Sequence, residues 1–221
     1  QCYVEKAVAA HCGGWDMIEG GQCTHAWALL TGCREQYVIQ RNEENGSWSC
    51  FGSFNPNEKR WEPMANSPHE GFQGLWPNDW PSTGGGGDLF VQLSEEQLFE
   101  RLCAWDDANF LMGASRNAGS GHSSDGIQED HAYSLLDVVN DAAGTDVDLI
   151  LMRNSHGRDE FTNGEFDDDG PGWGRHPEVK ALLKPVNSDD GTFWMSKSEF
   201  FKFFDVVYLC AQDMKKFVAQ A

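Results

Sequence analysis

His131-Ala132-Tyr133-Ser134-Leu135-Leu136-Asp137-Val138-Val139 and Val147-Asp148-Leu149-Ile150-Leu151-Met152-Arg153 are the stretches whose reading decides the fold. Each is short and rich in β-branched, aromatic and long aliphatic residues, which suits strands better than helices. Between them, Asn140-Asp141-Ala142-Ala143-Gly144 is small and polar, so the pair reads as a hairpin with a loose turn. Antiparallel pairing brings the start of one strand to the end of the next. His131, opening the first, and Asn154, closing the second, are therefore expected close together.

Working outward, Asn109–Ser115 is a further strand-like run, and Val206–Cys210 another near the C-terminus. Ser94 with Gln97 and Ser196 with Glu199 have the spacing of capping boxes, each opening a helix. The first carries an apolar stripe of Leu98, Phe99, Leu102 and Cys103, and the second is rich in Phe. Helices flanking several antiparallel strands indicate an α+β architecture, a small barrel-like or sandwich core with helices at one end. Upstream, residues 3–12 predict a helix stopped by Gly13-Gly14, and residues 24–30 a second one ending near Gly32. The stretch 34–93 differs in character. Pro56, Pro63, Pro68, Pro77, Pro81 and the run Gly84–Gly87 interrupt it, while Trp48, Trp61, Trp76 and Trp80 are scattered through it. It reads as a long irregular insertion or linker pinned by aromatics.

Composition excludes several function classes. Across 221 residues, 40% are apolar, enough for a packed core. Sixteen Lys and Arg against thirty-five Asp and Glu give −19, a field that repels nucleic acid and anionic membranes and favours cations. The longest clear apolar run, Leu149–Met152, is strand-sized, so no transmembrane segment is expected. Gln1-Cys2-Tyr3 shows neither an initiator Met nor a signal peptide, which suggests a chain cut from something longer. Seven Cys at irregular spacing, with no C-x-x-C pair, read as reduced thiols of a cytoplasmic protein rather than a disulfide framework or zinc ribbon.

Two constellations carry chemistry. An imidazole beside an amide is what cysteine-protease catalysis requires: the ring deprotonates a thiol while the amide orients it through its other nitrogen. On spacing alone, a surface His and a turn Asn are the commoner explanation of His131 and Asn154. The second constellation is acidic. Asp159, Glu160, Glu165, Asp167, Asp168 and Asp169 fall within eleven residues with no Lys or Arg between them. Hard oxygen ligands at that density suit Ca²⁺, although on composition alone a solvated acidic loop is the commoner explanation. The loop is not an EF-hand, since position 12 counted from Glu165 is His176.

At this point the sequence resembles a known family. Asp130-His131-Ala132-Tyr133-Ser134 is similar to the G-H-A-Y-S strand of calpains, calcium-dependent cysteine proteases, and Arg153-Asn154-Ser155-His156-Gly157 to their R-N-P-W-G turn. The likeness continues through Glu160-Phe161-Thr162, Gly164-Glu165-Phe166 and Trp173 to Asp190-Gly191-Thr192-Phe193-Trp194-Met195-Ser196, which resembles D-G-E-F-W-M-S. Val4-Glu5-Lys6-Ala7, Gly20-Gly21 and Leu30-Thr31-Gly32 look like L-E-K-A, S-G-G and F-T-G of the first protease subdomain. The resemblance implies a papain-like core divided into 1–33, the end of the first subdomain; 34–93, an insertion; and 94–221, the second subdomain.

It further implies His131 as general base, Asn154 as orienting residue, and protein or peptide substrates. The G-D-C-W-L motif carrying the nucleophilic Cys has no counterpart here, so the triad is incomplete and the N-terminal part of the protease core is expected elsewhere. Cys23, after Gly20-Gly21-Gln22 and before Trp27, superficially resembles a papain-type start, but the register of the match puts it in an ordinary loop. Glu160 and Asp168 map onto two acidic calcium ligands, Asp190 onto a third with the Ser188 carbonyl nearby, and Asp16 onto a ligand of a half-present first-subdomain site. Two departures matter. Ser155-His156 replaces Pro-Trp beside the triad, leaving that site wetter, and Thr192 replaces a calcium-binding Glu, predicting a weak site. The expected function is the His/Asn-bearing part of a calcium-regulated cysteine endopeptidase. The alternative is a non-catalytic calpain-like module for binding or scaffolding.

Overall fold

A computed structural model describes residues 2–17, 23–33, 36–55, 60–62, 92–117 and 125–220. Helices α1 (Cys2–Cys12) and α2 (Cys23–Thr31) come first. Strands β1 (Gln36–Arg41), β2 (Trp48–Asn55), β3 (Arg60–Glu62) and β4 (Gln92–Leu93) follow, then α3 (Glu95–Asp107), β5 (Leu111–Arg116), β6 (His131–Val139) and β7 (Leu149–Asn154). The chain continues through α4 (Gly172–Arg175), α5 (Pro177–Leu183), β8 (Thr192–Ser196), α6 (Lys197–Phe203), β9 (Val206–Cys210) and α7 (Met214–Gln220).

All strands join one antiparallel sheet in the order β3-β2-β1-β9-β5-β6-β7-β8, with β4 paired to β2. The α+β class with an antiparallel sheet is as expected. Among the described residues, however, the path of paired strands runs from β3 to β8 without closing.

The capping boxes at Ser94–Gln97 and Ser196–Glu199 both form, in each case with side chain to backbone bonds in both directions. They start helices whose apolar faces, Leu98, Phe99, Leu102 and Trp105 on α3 and Phe200 and Phe201 on α6, enter the same core as Tyr37, Ile39, Met112, Tyr133, Ile150, Met152, Phe193 and Leu209 of the sheet. Along β6, Tyr133 and Leu135 are buried in alternation, and then the parity changes. Leu136 is skipped in the pairing with β7 and stands 47% exposed, so Val138 rather than Asp137 faces the core. One extra residue has inverted the face of everything after it. β7 is apolar on both sides because a second cluster, Leu149 with Trp173, Val179 and Trp194, covers its other face.

The stretch 34–93 differs from the irregular run the sequence predicts. β1 and β2 lie inside it and pair through a tight connection in which Asn42 N–H donates to Ser47 O at 2.7 Å and Gly46 has φ +71°. Asn45-Gly46 is the hairpin signal, and Tyr37-Val38-Ile39 the strand it serves. The prolines that suggested irregularity fall at 56 and beyond, all outside the described residues. α5 was also unforeseen. It begins with Pro177 at its first position, where a missing N–H costs nothing.

Candidate active site

His131 stands at the first residue of β6, opposite Arg116 of β5, and Asn154 at the last residue of β7, opposite Tyr133. His131 and Tyr133 project to the same face, with their rings edge to face at 5.0 Å. Asn154 is fully buried. Its Oδ1 lies 2.8 Å from His131 Nε2 and also accepts the backbone N–H of His156 at 3.0 Å, while its Nδ2 donates to the Asp159 carbonyl at 3.0 Å. These partners fix the amide orientation. With Oδ1 an acceptor, Nε2 must carry the proton, so the neutral ring keeps its lone pair on Nδ1. The pair is thus arranged to accept a proton at Nδ1 while Asn154 holds the ring.

The strand before it is braced from below. Arg116, 4% exposed, points its guanidinium at the buried Asp125 carboxylate at 3.4 Å and at the Ile127 carbonyl, fixing the turn that leads into β6. Asp130, at the position of the Gly in G-H-A-Y-S, has φ +51°, the conformation that explains a glycine there.

Cys23, the internal thiol candidate, is elsewhere. It opens α2, and its sulfur lies 3.8 Å from where a Cβ on Gly113 would be, close against β5. Gly113 pairs with Ser134, three residues along β6 from His131, which puts the thiol about 10 Å away along the strand. Burial pushes the Cys23 thiol up, against the usual effect of a helix start. Such a thiol is a poor nucleophile.

The acids of the loop after β7 are sorted into separate tasks. Asp167, buried, accepts the Gly164 N–H with its side chain and the Trp173 indole N–H with its carbonyl. Glu165 pairs with Arg175. Glu160 Oε1 accepts the backbone N–H of Asp190 and Gly191 at 2.8 and 2.6 Å, and Asp168 accepts that of Ser188 at 2.9 Å. Asp190 takes the Ser188 hydroxyl and the Thr192 N–H. Glu160, Asp168, Ser188 and Asp190 are thereby brought into one neighbourhood. Glu160 is pushed up by burial and then by the charges of Asp168 and Asp190. Asp168 rises for the same reasons, whereas hydrogen bonds from Ser188 and Thr192 hold Asp190 below the ordinary range. Glu160 and Asp168 also line an open pocket of about 700 Å³. Among the described residues, no group of three or more His, Cys, Asp or Glu is gathered around one point as a metal would require. The acids are neighbours in charge, each anchored by its own N–H. Asp16 sits in a short 3₁₀ turn, Trp15–Met17, at the other end of the chain sequence.

An imidazole–amide pair at the end of the β6–β7 hairpin is the arrangement that cysteine-protease chemistry uses. The calpain family cysteine protease model matches residues 1–211. The chain belongs to the calpain family. It is 34% identical over 125 residues to the calpain-type cysteine protease DEK1 of Zea mays, covering 54% of this chain and 6% of that protein. It is 33% identical over 138 residues to Calpain-A of Drosophila melanogaster, covering 57% and 17%, and 32% identical over 133 residues to Calpain-12 of Homo sapiens, covering 58% and 18%. The matched part thus spans less than a fifth of each of these relatives. No helix among the described residues is long and apolar enough to cross a membrane.

Sequence reasoning missed two participants: the Asp159 carbonyl that orients Asn154, and Gly191, whose carbonyl accepts the Asn154 N–H at 2.7 Å. The sequence placed His156 beside the pair, and its ring packs against that of His131. The Asp159 contact depends on turn geometry that no motif spells out. Gly191 lay within the D-G-E-F-W-M-S likeness, where its glycine identity was the available signal.

Proposed function

We propose that this chain carries the general base, His131, and the orienting residue, Asn154, of a calcium-regulated cysteine endopeptidase acting in the cytoplasm on protein or peptide substrates. The observation carrying the reading is the 2.8 Å contact between His131 Nε2 and Asn154 Oδ1, which leaves Nδ1 to receive a thiol proton. In the reaction, Nδ1 takes that proton, the thiolate attacks the peptide carbonyl carbon, and the imidazolium returns the proton to the leaving amine. Water then hydrolyses the thioester with the ring again acting as base. The thiol comes from a part of the protease core other than the described residues. Supporting that reading, Tyr3, Val4, Trp15, Leu29 and Leu30 of the first two helices and the turn between them are large apolar side chains left exposed, as surface that further protein covers would be. The partition at 33/34 and 93/94 into subdomain end, insertion and second subdomain belongs to the same proposal.

Calcium would be held by Glu160, Asp168, Asp190 and the Ser188 carbonyl once these carboxylates, neighbours that do not yet converge on one point, draw together around it. Hard carboxylate oxygens suit it, and burial together with neighbouring carboxylate charge, which raises Glu160 and Asp168, is what a cation offsets. The test is peptide hydrolysis by the protein in its longest natural form. Activity that needs Ca²⁺ and falls by about 10³-fold or more in His131→Ala supports the reading. Activity indifferent to His131 overturns it, as does the absence of turnover under every calcium concentration, which is the outcome of a binding or scaffolding module.

A further inference from the structure

His156 is the feature of the site with no part in that mechanism. Its ring centroid lies 4.5 Å from that of His131, with the planes inclined by 36°. The two residues share an anchor, because Asn154 Oδ1 accepts both His131 Nε2–H and the His156 backbone N–H. Nε2 of His131 is thus committed, and among the described residues no hydrogen bond reaches its Nδ1. His156 itself is exposed, so its side chain is accessible and free to turn about χ1 and χ2.

We infer that His131 Nδ1 and the His156 ring form a two-imidazole site for a borderline-soft divalent cation of the Zn²⁺ or Ni²⁺ class. Neutral imidazole is a preferred ligand for such ions, at metal–nitrogen distances of about 2.0–2.1 Å. Two nitrogens bound to one ion therefore stand about 3 Å apart, a spacing open to rings whose centroids are 4.5 Å apart once the exposed His156 side chain turns. The hydrogen bond from the far nitrogen of His131 to Asn154 is the support that orients a ligating histidine and makes it a better donor. The other coordination positions are open to water or to a thiolate. Hard cations select oxygen donors, so Ca²⁺ and Mg²⁺ pass this site by. An ion on Nδ1 occupies the lone pair that would accept the thiol proton, and it blocks proteolysis reversibly. That consequence rests on the proposed base role of His131, whereas the binding does not.

The test is a Ni²⁺ titration of the whole chain followed through its histidine ring NMR signals. Paramagnetic broadening should reach His131 and His156 before the other five His. His156→Phe keeps a ring over His131 and removes the donor, and it should raise the Ni²⁺ needed by about tenfold or more. Equal amounts of Ca²⁺ should leave both signals sharp. Broadening that is the same in wild type and His156→Phe, or that begins elsewhere, overturns the site. The metal-free ring spectra separate the two ideas. A proton found on Nδ1 rather than Nε2 sinks the base reading, while loss of broadening specificity alone sinks only the metal site.

Discussion

The end of the β6–β7 hairpin and the acidic loop beside it share a wall and obey opposite electrostatics. Around Asn154 each donor meets an acceptor: His131 Nε2 and the His156 N–H on Oδ1, the Asp159 carbonyl on Nδ2. Around Glu160 like charges meet, and burial together with Asp168 and Asp190 makes its ionised form harder to keep. The first region holds its shape through complementary partners. The second holds its shape against its own charge, through backbone N–H groups at Glu160 and Asp168. The teaching is that a site for protons can be built complete from uncharged groups, whereas a cluster of acids is complete only with a counter-charge.

The two regions meet at Gly191, whose carbonyl takes the Asn154 N–H and whose N–H binds Glu160. It has φ +84°, and a Cβ there would lie 2.8 Å from the Asn154 carbonyl oxygen, 2.9 Å from Gly157 Cα and 3.0 Å from Arg158 N. All three are backbone and cannot swing aside. Gly191→Ala should therefore cost about 3–5 kcal/mol in urea unfolding. A loss below about 1 kcal/mol would mean that the shared wall yields and the regions are independent.

Next in size is Asn154→Ala. It strips three hydrogen bonds from a fully buried position and should cost about 2–3 kcal/mol. It should also release the His131 tautomer, so that ring nitrogen spectra change from one protonated nitrogen to a mixture. A stable variant with Nε2–H unchanged would break the complementary half of the comparison.

How much of this was legible follows the same division. The β6–β7 pairing was readable because strands alternate and a Gly-ended polar turn separates them. The capping boxes were readable because Ser and Gln or Glu three apart perform a local task. The Leu136 bulge was not readable, since a skipped residue is a compromise between two sheet faces. β1 and β2 were overlooked because prolines further on outweighed Asn45-Gly46. For the site, the meeting of His131 and Asn154 followed from antiparallel geometry, but the sorting of the loop acids did not. Glu165 is defined by Arg175 and Glu199, and Glu160 by the amides of Asp190 and Gly191 thirty residues away. Those partners are set by the fold, not by local sequence.

The counter-charge half is sharpened by calcium. In the proposed calcium site, which has three carboxylates, the dissociation constant should be about 10⁻⁴–10⁻³ M. At tenfold excess over that value, binding to the folded state should add about 1.4 kcal/mol. Thermal melting with several millimolar Ca²⁺ against Mg²⁺ measures it, and Asp168→Asn should lose the difference. An equal rise in the variant would leave the loop a solvated acidic surface.

The smallest effect tests whether crowded acids always await a metal. Asp106 of α3 faces Asp137 of β6, and burial, followed by the Asp137 charge, pushes Asp106 up to about 6. Its surroundings hold a Val138 N–H and the further acid Asp107. A folded pKa above the ordinary value means that the folded protein binds this proton more tightly than the unfolded chain. The stabilisation is therefore full below about pH 4 and lost as pH rises through about 6. Asp106 is only half-buried, so solvent screening keeps the change under about 1 kcal/mol, or about 2–4 °C in Tm. Melting at intervals from pH 4 to 7 should show this decline in wild type and a shallower one in Asp106→Asn, because the amide cannot titrate. Here two acids can share a proton, and the protein needs no ion to quiet them, so Ca²⁺ should leave the difference between wild type and Asp106→Asn unchanged. A calcium-dependent difference would show that both acidic clusters answer to cations, and that the loop after β7 is not special in that respect.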